Sequence, residues 1–242
     1  MSHSSDFFEQ IASTYLDTQP EKTLFKAAVK KMRASLDPLH DERHIEAMLT
    51  LFHELDKQKK LKLKKAEKKI AVLAIAWHDV WISQRNTPWF MKIWFNQAIE
   101  GIASARLFRK NAKLVQLAED QIEASAYAIR KHSNYQWFEL NTAAAQILHD
   151  LDWLEFYSVK RVKKSVEILR KRGLHLFLEW SWFHLVFGNL YMKLRTHNEH
   201  LFYHYWAKDQ FSKIQKEYFD YVHKLQKEAK KNSYFRLFLK HI

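Results

Sequence analysis

The chain has no cysteine, only three glycines and three prolines, and no apolar run of membrane-spanning length free of charged or strongly polar residues. The first absence removes disulfides, zinc–thiolate sites and cysteine nucleophiles together, and it suits a reducing cytoplasm. The scarcity of glycine and proline, with abundant Lys, Leu, Ala and Glu, points to a mostly α-helical protein. No alternation of apolar and polar residues is long enough to make a sheet. There is no Gly-rich phosphate loop and no Gly-x-Ser-x-Gly elbow, so no P-loop or α/β-hydrolase chemistry is expected. The first residues, Met-Ser-His-Ser-Ser-Asp, lack the basic and apolar stretches of a secretory signal, and a cytoplasmic location is expected.

A chain of 242 residues can bury one substantial core. With no Ser-rich linker, one domain is expected. It comprises a helical core over residues 1–156 and a helical, aromatic-rich C-terminal extension over residues 157–242, packed on it. The longest apolar stretch, Leu174 to Leu194, contains His175, Glu179, His184, Asn189 and Lys193, which are costly in hydrocarbon. It reads as a buried helix rather than a transmembrane segment, with a membrane-surface position as the alternative. The net charge of +13 attracts polyanions such as nucleotides, nucleic acid or anionic lipid. Eight lysines fall between Lys57 and Lys69, a solvated loop and helix start whose functional alternative is phosphate contact.

Helical periodicity predicts helices over Phe7 to Leu16 and Glu21 to Leu36, broken by Asp37-Pro38. Asp41 is placed to cap a helix bearing the stripe Ile45, Met48, Leu49, Phe52 and Leu55. The next helix is cored by Ile70, Leu73, Ala74 and Trp77. Further helices are expected over Asn96 to Lys110, Lys113 to His132, Tyr135 to Leu148, Leu174 to Leu194 and His197 to Lys230. The segment from Val80 to Asn96, rich in aromatics, reads either as a wall or lid of the site or as core packing around a bend.

The chemistry concentrates at a few points. An apolar helical run ends in the adjacent pair His78-Asp79. His44 lies upstream in the first turn of the capped helix, and Asp150 and Asp152 lie downstream. Adjacent residues on an ideal helix diverge by roughly 100°, so His78 and Asp79 do not face each other, but a metal ion at the helix end could still gather both, with one carboxylate oxygen turned inward or bridging to a second ion. Imidazoles and carboxylates together suit a borderline-to-hard divalent ion with open coordination positions. A second histidine face, His197, His200 and His204, reads as a polar helix side rather than a metal site.

At these residues the sequence resembles the HD superfamily of metal-dependent phosphohydrolases, and most closely its small predicted phosphohydrolases. The entry motif is His40-Asp41-Glu42-Arg43-His44-Ile45, the centre is Trp77-His78-Asp79-Val80-Trp81, and the exit is His149-Asp150-Leu151-Asp152-Trp153-Leu154. The intermediate motif Ala-Thr-x-x-His has its counterpart in Ala128-Ile129-Arg130-Lys131-His132, with Ile129 in the threonine position. The Asn-Glu-x-x-Ser-Ala segment is echoed by Asn96, Glu100, Ser104 and Ala105 with altered spacing. The resemblance covers roughly residues 20–156. No Glu-Asp pair follows His78-Asp79 and no Gly-Tyr-Pro motif occurs, so neither the alarmone-hydrolase nor the cyclic-dinucleotide branch is matched.

The resemblance implies an all-α HD-domain helical bundle. It implies a divalent metal ion (Mn, Fe, Mg, Ni or Zn) on His44, His78, Asp79 and Asp152. Asp150 and His132 are the implied catalytic residues, Asp150 by orienting a ligand or water. His40 and His132 line the pocket, bind phosphate or hold a second ion. Arg85, Arg130 and Lys131, with His40, are the residues expected to meet substrate phosphate. The implied substrate is a small phosphate ester, most plausibly a nucleotide. The rival class is a non-catalytic HD-like module that grips a nucleotide or RNA through basic and aromatic stretches, Lys160 to Arg172 with Trp180 and Trp182. A third class is an interaction protein that presents its aromatic helix to a partner or a membrane surface.

Overall fold

The computed structural model describes residues 2–37, 39–85, 90–132, 140–172 and 202–230. Every regular element among them is a helix and none is a strand, so the protein is all-α. The expected helix over 174–194, His197, His200, Trp180 and Trp182 lie outside the described residues, as do Pro88 and Trp89 of the expected wall. Two compact units are present, Met1–Glu155 and Phe156–Ile242.

The first unit is built from α1 (Ser2–Tyr15), α2 (Gln19–Arg33), α3 (Glu42–Lys57), α4 (Lys65–Trp77), the single turn α5 (Val80–Ser83), α6 (Phe90–Leu114), α7 (Glu119–Lys131) and α8 (Ala143–Phe156). α4 is its axis. Ala71 through Trp77 are buried without interruption, and α4 packs against α1, α2, α3, α6 and α7. A helix apolar all round can only lie inside. Each large side chain buried there contributes about 1.5–3 kcal/mol. The Trp77 indole satisfies its N–H on the Leu24 carbonyl at 3.1 Å, so the aromatic core carries no polar penalty at that point.

Several boundaries follow from local chemistry. Thr18 and Glu21 cap α2 reciprocally: Glu21 N–H donates to Thr18 Oγ1 and Thr18 N–H donates to Glu21 Oε2. Asp41 caps α3 by accepting from Arg43 N–H, as its position in the sequence suggests. The single helix expected from Lys113 to His132 is instead interrupted between α6 and α7. There Gln116 takes a left-handed conformation, φ 58°, and Leu117 N–H closes back on the Ala112 carbonyl. Lys59, φ 54°, ends α3 in the same way, with Lys60 N–H on the Leu55 carbonyl. Both turns use a geometry that favours glycine, in a chain that has almost none.

One glycine is indispensable. A Cβ at Gly101 of α6 would lie 2.6 Å from the Arg130 carbonyl oxygen of α7. Its absence lets the two helices cross closely at the C-terminal end of α7.

The second unit contains α9 (Val159–Arg172) and α10 (Tyr205–Lys230), which pack together. The Tyr157 ring meets Phe211 and Tyr218 edge-on, at centroid distances of 5.6 and 5.1 Å. No described helix is long and apolar enough to cross a membrane.

Candidate metal centre

Four side chains named from the sequence meet inside the first unit. His44 comes from the first turn of α3, His78 and Asp79 from the step between α4 and α5, and Asp152 from α8. One ligand-capable atom of each lies within 4.8 Å of all the others. His44 Nε2 is 3.0 Å from His78 Nε2, 3.2 Å from Asp79 Oδ2 and 3.3 Å from Asp152 Oδ1. His78 Nε2 is 3.1 Å from Asp79 Oδ2 and 3.8 Å from Asp152 Oδ1.

The helix end explains how neighbours in sequence converge. His78 keeps helical dihedrals and its N–H reaches the Ala74 carbonyl. Asp79 turns to φ −108°, ψ 6°, so its side chain leaves the helical progression before α5 resumes. Trp81 N–H, at the start of α5, is received by Ser104 Oγ of α6 at 3.3 Å. That bond fixes the step from the α6 side.

The hydrogen-bond partners of the two imidazoles decide what they offer. His78 Nδ1 lies 2.8 Å from the Ile75 carbonyl oxygen, and His44 Nδ1 lies 2.9 Å from Glu155 Oε2. Both partners are acceptors, so both Nδ1 atoms donate. In the neutral rings the Nε2 lone pairs then point at each other and at two carboxylate oxygens. Such a cluster is repulsive by itself and attractive around a cation. Bonds of about 2.1 Å to a common ion place ligand atoms 3.0–3.8 Å apart when the angles at the ion run from about 90° to roughly 130°. The residues present therefore fit a divalent ion, and the buried His/Asp cluster can hold one.

The electrostatics follow the same geometry. Burial holds the His78 imidazole below its ordinary range, against the pull of Asp79. Burial raises Asp79, but the positive charge that His78 and His40 carry when protonated, with the His132 and His44 imidazoles beside it, brings it well below the usual carboxylate range. Asp152 is likewise held low, burial being outweighed by His44 and His78.

His132, at the C-terminal end of α7, adjoins the cluster. Its Nε2 is 3.4 Å from Asp79 Oδ1, and its ring meets that of His78 edge-on at 4.8 Å. Burial lowers His132, yet the hydrogen bond to Asp79 and the charges of Asp79, Glu100 and Asp152 raise it to about 9.

His40 stands at the margin, Nε2 3.9 Å from Asp79 Oδ2 and Nδ1 3.1 Å from Asp37 Oδ2. Contacts of the neighbouring residues position it. Leu39 N–H donates to Asp37 Oδ1, and Leu36 N–H donates to the Ser83 carbonyl at 2.7 Å, tying this loop to α5.

Asp150 is fully buried but lies apart from the four, with Oδ1 3.1 Å from His149 Nδ1. Residues two apart on a helix point to nearly opposite sides, so Asp150 and Asp152 cannot both face the cluster. Arg85 is exposed and stacks its guanidinium on Trp81, 3.7 Å from the ring centroid. Arg130 and Lys131 occupy the last turn of α7 beside His132, Arg130 exposed and Lys131 half-buried.

Glu155 and Asp37 were not singled out in the sequence, and Glu100 stood there only as part of a loosely spaced motif. Glu155 was legible in principle, being one turn beyond Asp152 on the same helix face. Comparison with protein-family models, with curated proteins and with solved structures finds no match.

Proposed function

We propose that this protein is a metal-dependent phosphohydrolase of the HD type, acting on a small phosphate ester, with a nucleotide as the favoured substrate. The observation that carries this reading is the buried convergence of His44, His78, Asp79 and Asp152, with both histidine tautomers set so that the lone pairs point inward. A bound divalent ion (Mn, Fe, Mg, Ni or Zn) supplies Lewis acidity toward a phosphoryl oxygen and lowers the pKa of water.

The chain's own residues supply the rest. His44 and His78 would hold the ion through Nε2, and Asp79 and Asp152 through carboxylate oxygens. Glu155 fixes the orientation of the His44 ring through its Nδ1–H, the usual work of a carboxylate behind a metal-bound histidine. His132 faces the site across Asp79, where it acts on the reacting phosphate. Asp150, on the face of α8 turned away from Asp152, acts indirectly. His40 lines the approach, and Arg85, Arg130 and Lys131 supply cationic charge for phosphate oxygens. The net charge of +13 raises the encounter rate with anionic substrates at low salt.

Metal analysis of purified protein, followed by phosphate release from a panel of nucleotides, sugar phosphates and diesters, tests the reading. Chelator-sensitive phosphate release is the expected result. A metal-loaded protein that releases phosphate from none of these substrates overturns it and leaves a nucleotide- or RNA-binding module in its place.

A further inference from the structure

The lysine run from Lys57 to Lys69 divides into two groups in the folded protein. Lys65 and Lys69 pair with Asp17 at 2.8 and 2.9 Å, Lys69 also reaches Glu21, and Lys68 pairs with Asp56 at 2.6 Å. These three tie α4 to α3 and to the turn between α1 and α2. The other five, Lys57, Lys59, Lys60, Lys62 and Lys64, are exposed and meet no carboxylate among the described residues. The loop that carries them is held in place. Lys59 makes the left-handed turn at φ 54°, Leu61 is buried, and Lys64 N–H donates to Glu67 Oε2 at 2.7 Å. Burial alternates from Leu61 to Lys64, so the exposed Lys62 and Lys64 lie on one side, about 6–7 Å apart along an extended chain.

The positive charge of this unit is local rather than general. Residues 1–155 hold 22 Lys and Arg against 20 Asp and Glu, and without the five free lysines they are net acidic. Folding does not ask for these lysines. Cations one or two residues apart repel, and Lys64 stands at the N-terminal end of α4, where the helix dipole disfavours positive charge. Nor does the loop suit a lipid surface. No large apolar side chain is exposed between residues 57 and 64, and a basic segment with nothing to insert is a weak anchor. Closely spaced cations with no aromatic among them suit the phosphate backbone of a nucleic acid, gripped without base readout.

The metal cluster lies at the other end of the same helix pair. α3 and α4 pack together, His44 opens α3 and His78 closes α4, whereas the loop joins the end of α3 to the start of α4. The helical rise from His44 to Lys57, and again from Lys64 to His78, is about 20 Å. A mononucleotide at the metal cluster cannot reach the loop. We infer that residues 57–64 are a docking site for nucleic acid, whose phosphates the five free lysines hold, remote from the metal cluster. The docking site stands or falls apart from the phosphohydrolase reading.

A fluorescently labelled oligouridylate is the probe, read by anisotropy with the full-length protein in chelator, so that no metal-bound phosphate contributes. The wild type is expected to bind with an affinity that falls steeply as salt rises from about 50 to 300 mM. Each phosphate contact on a single strand adds about 0.7 to the slope of log affinity against log salt. The triple variant Lys59→Gln, Lys60→Gln, Lys62→Gln is expected to lower that slope by about 2 and to weaken binding at least about 30-fold at low salt. Gln suits the turn at position 59, since Gln116 takes the same left-handed conformation. A control triple, Lys30→Gln, Arg106→Gln, Lys110→Gln, removes equal charge from exposed residues of α2 and α6 and is expected to weaken binding less than about 3-fold. Equal losses in the two triples overturn the site and leave only general charge. A wild type that binds phosphatidylserine vesicles through the loop, and no oligonucleotide, overturns nucleic acid as the partner. Circular dichroism establishes folding, and if the loop triple does not fold, Lys60→Gln and Lys62→Gln alone decide, each expected to lower the slope by about 0.7. Metal uptake by the loop triple should match the wild type, and loss of metal together with oligonucleotide makes the loop structural and overturns the docking site. A wild type that takes up no metal but binds the oligonucleotide through the loop overturns the metal reading and upholds this one.

Discussion

Two buried carboxylates in the same unit have opposite surroundings. Glu21, at the start of α2, is 1% exposed and is met by donors only. Its Oε2 accepts from Asp17 N–H at 2.7 Å and Thr18 N–H at 2.9 Å, and its Oε1 from Lys69 Nζ at 3.1 Å and Gln121 Nε2 at 2.7 Å. Asp79 is nearly as buried, but it faces imidazole nitrogens that are also turned toward Asp152, and the neighbouring Glu100 has an oxygen with no partner. The first arrangement is complete as it stands and joins α2, α4 and α7. The second is coherent only around positive charge. Satisfied and unsatisfied polar groups at similar depth separate structural chemistry from site chemistry more sharply than burial does.

The contrast is broken most severely at the metal cluster. His78→Ala and Asp79→Ala are each expected to abolish stoichiometric metal binding while leaving helical content intact, as read by metal analysis and circular dichroism. Phosphate release should fall by at least about 100-fold, since the ion supplies the chemistry. Unchanged metal content in both variants sinks the site.

Next in size is Glu155→Gln. Loss of the carboxylate behind His44 should weaken metal affinity about 10- to 100-fold without abolishing it. A titration with the same ion measures this directly, and an unchanged affinity would show that the His44–Glu155 contact is idle.

Glu21→Gln should do the reverse. Metal affinity stays unchanged, while stability falls by about 1.5–3 kcal/mol, the scale of hydrogen bonds to a charged group. Denaturant unfolding with and without metal separates the two effects. The pH dependence has a definite sign. Burial pushes the Glu21 carboxyl up, but the N–H groups of Thr18 and Asp17, with Gln121 and Lys69, hold it below its ordinary 4.5. A carboxyl depressed in the folded state adds stability above its unfolded value and loses that contribution as pH falls through its folded value. The wild type should therefore lose stability below about pH 4.5 more steeply than Glu21→Gln. Parallel acid-unfolding curves would remove Glu21 from that role.

The smallest effect concerns the turns. Lys59→Gly and Gln116→Gly relieve the left-handed conformation, worth about 1–2 kcal/mol, against the larger chain entropy that glycine loses on folding. A net gain of roughly 0.5 kcal/mol or less is expected for each, with metal binding unchanged. A loss of stability in both would assign the two side chains contacts that outweigh the backbone.

Much of the fold could be read in advance because its causes are local. The stripe on α3, the Asp41 cap and the apolar run into His78 are patterns of spacing, and spacing is visible in a chain. The interruption between α6 and α7 was not legible. Gln116 is an ordinary helix former, and only the packing of two long helices makes a reversal there favourable. Residues 135–139 of the helix expected over Tyr135 to Leu148 lie outside the described residues, and α8 begins at Ala143.

By itself, the sequence determined the composition of this protein's chemistry. An all-helical chain without thiols must build any metal site from imidazole and carboxylate, and such residues fall at a helix start (His44), at a helix end (His78 and Asp79) and within α8 (Asp152). The tertiary structure decided direction. The step at Asp79 turns two adjacent residues onto one point, Glu155 and the Ile75 carbonyl choose the tautomers, and the close crossing at Gly101 brings Glu100 to His132. The physical reason is that lone pairs and carboxylate oxygens act over a few ångströms. Distances on that scale between residues tens of positions apart are set by how helices pack, not by how far apart they lie along the chain.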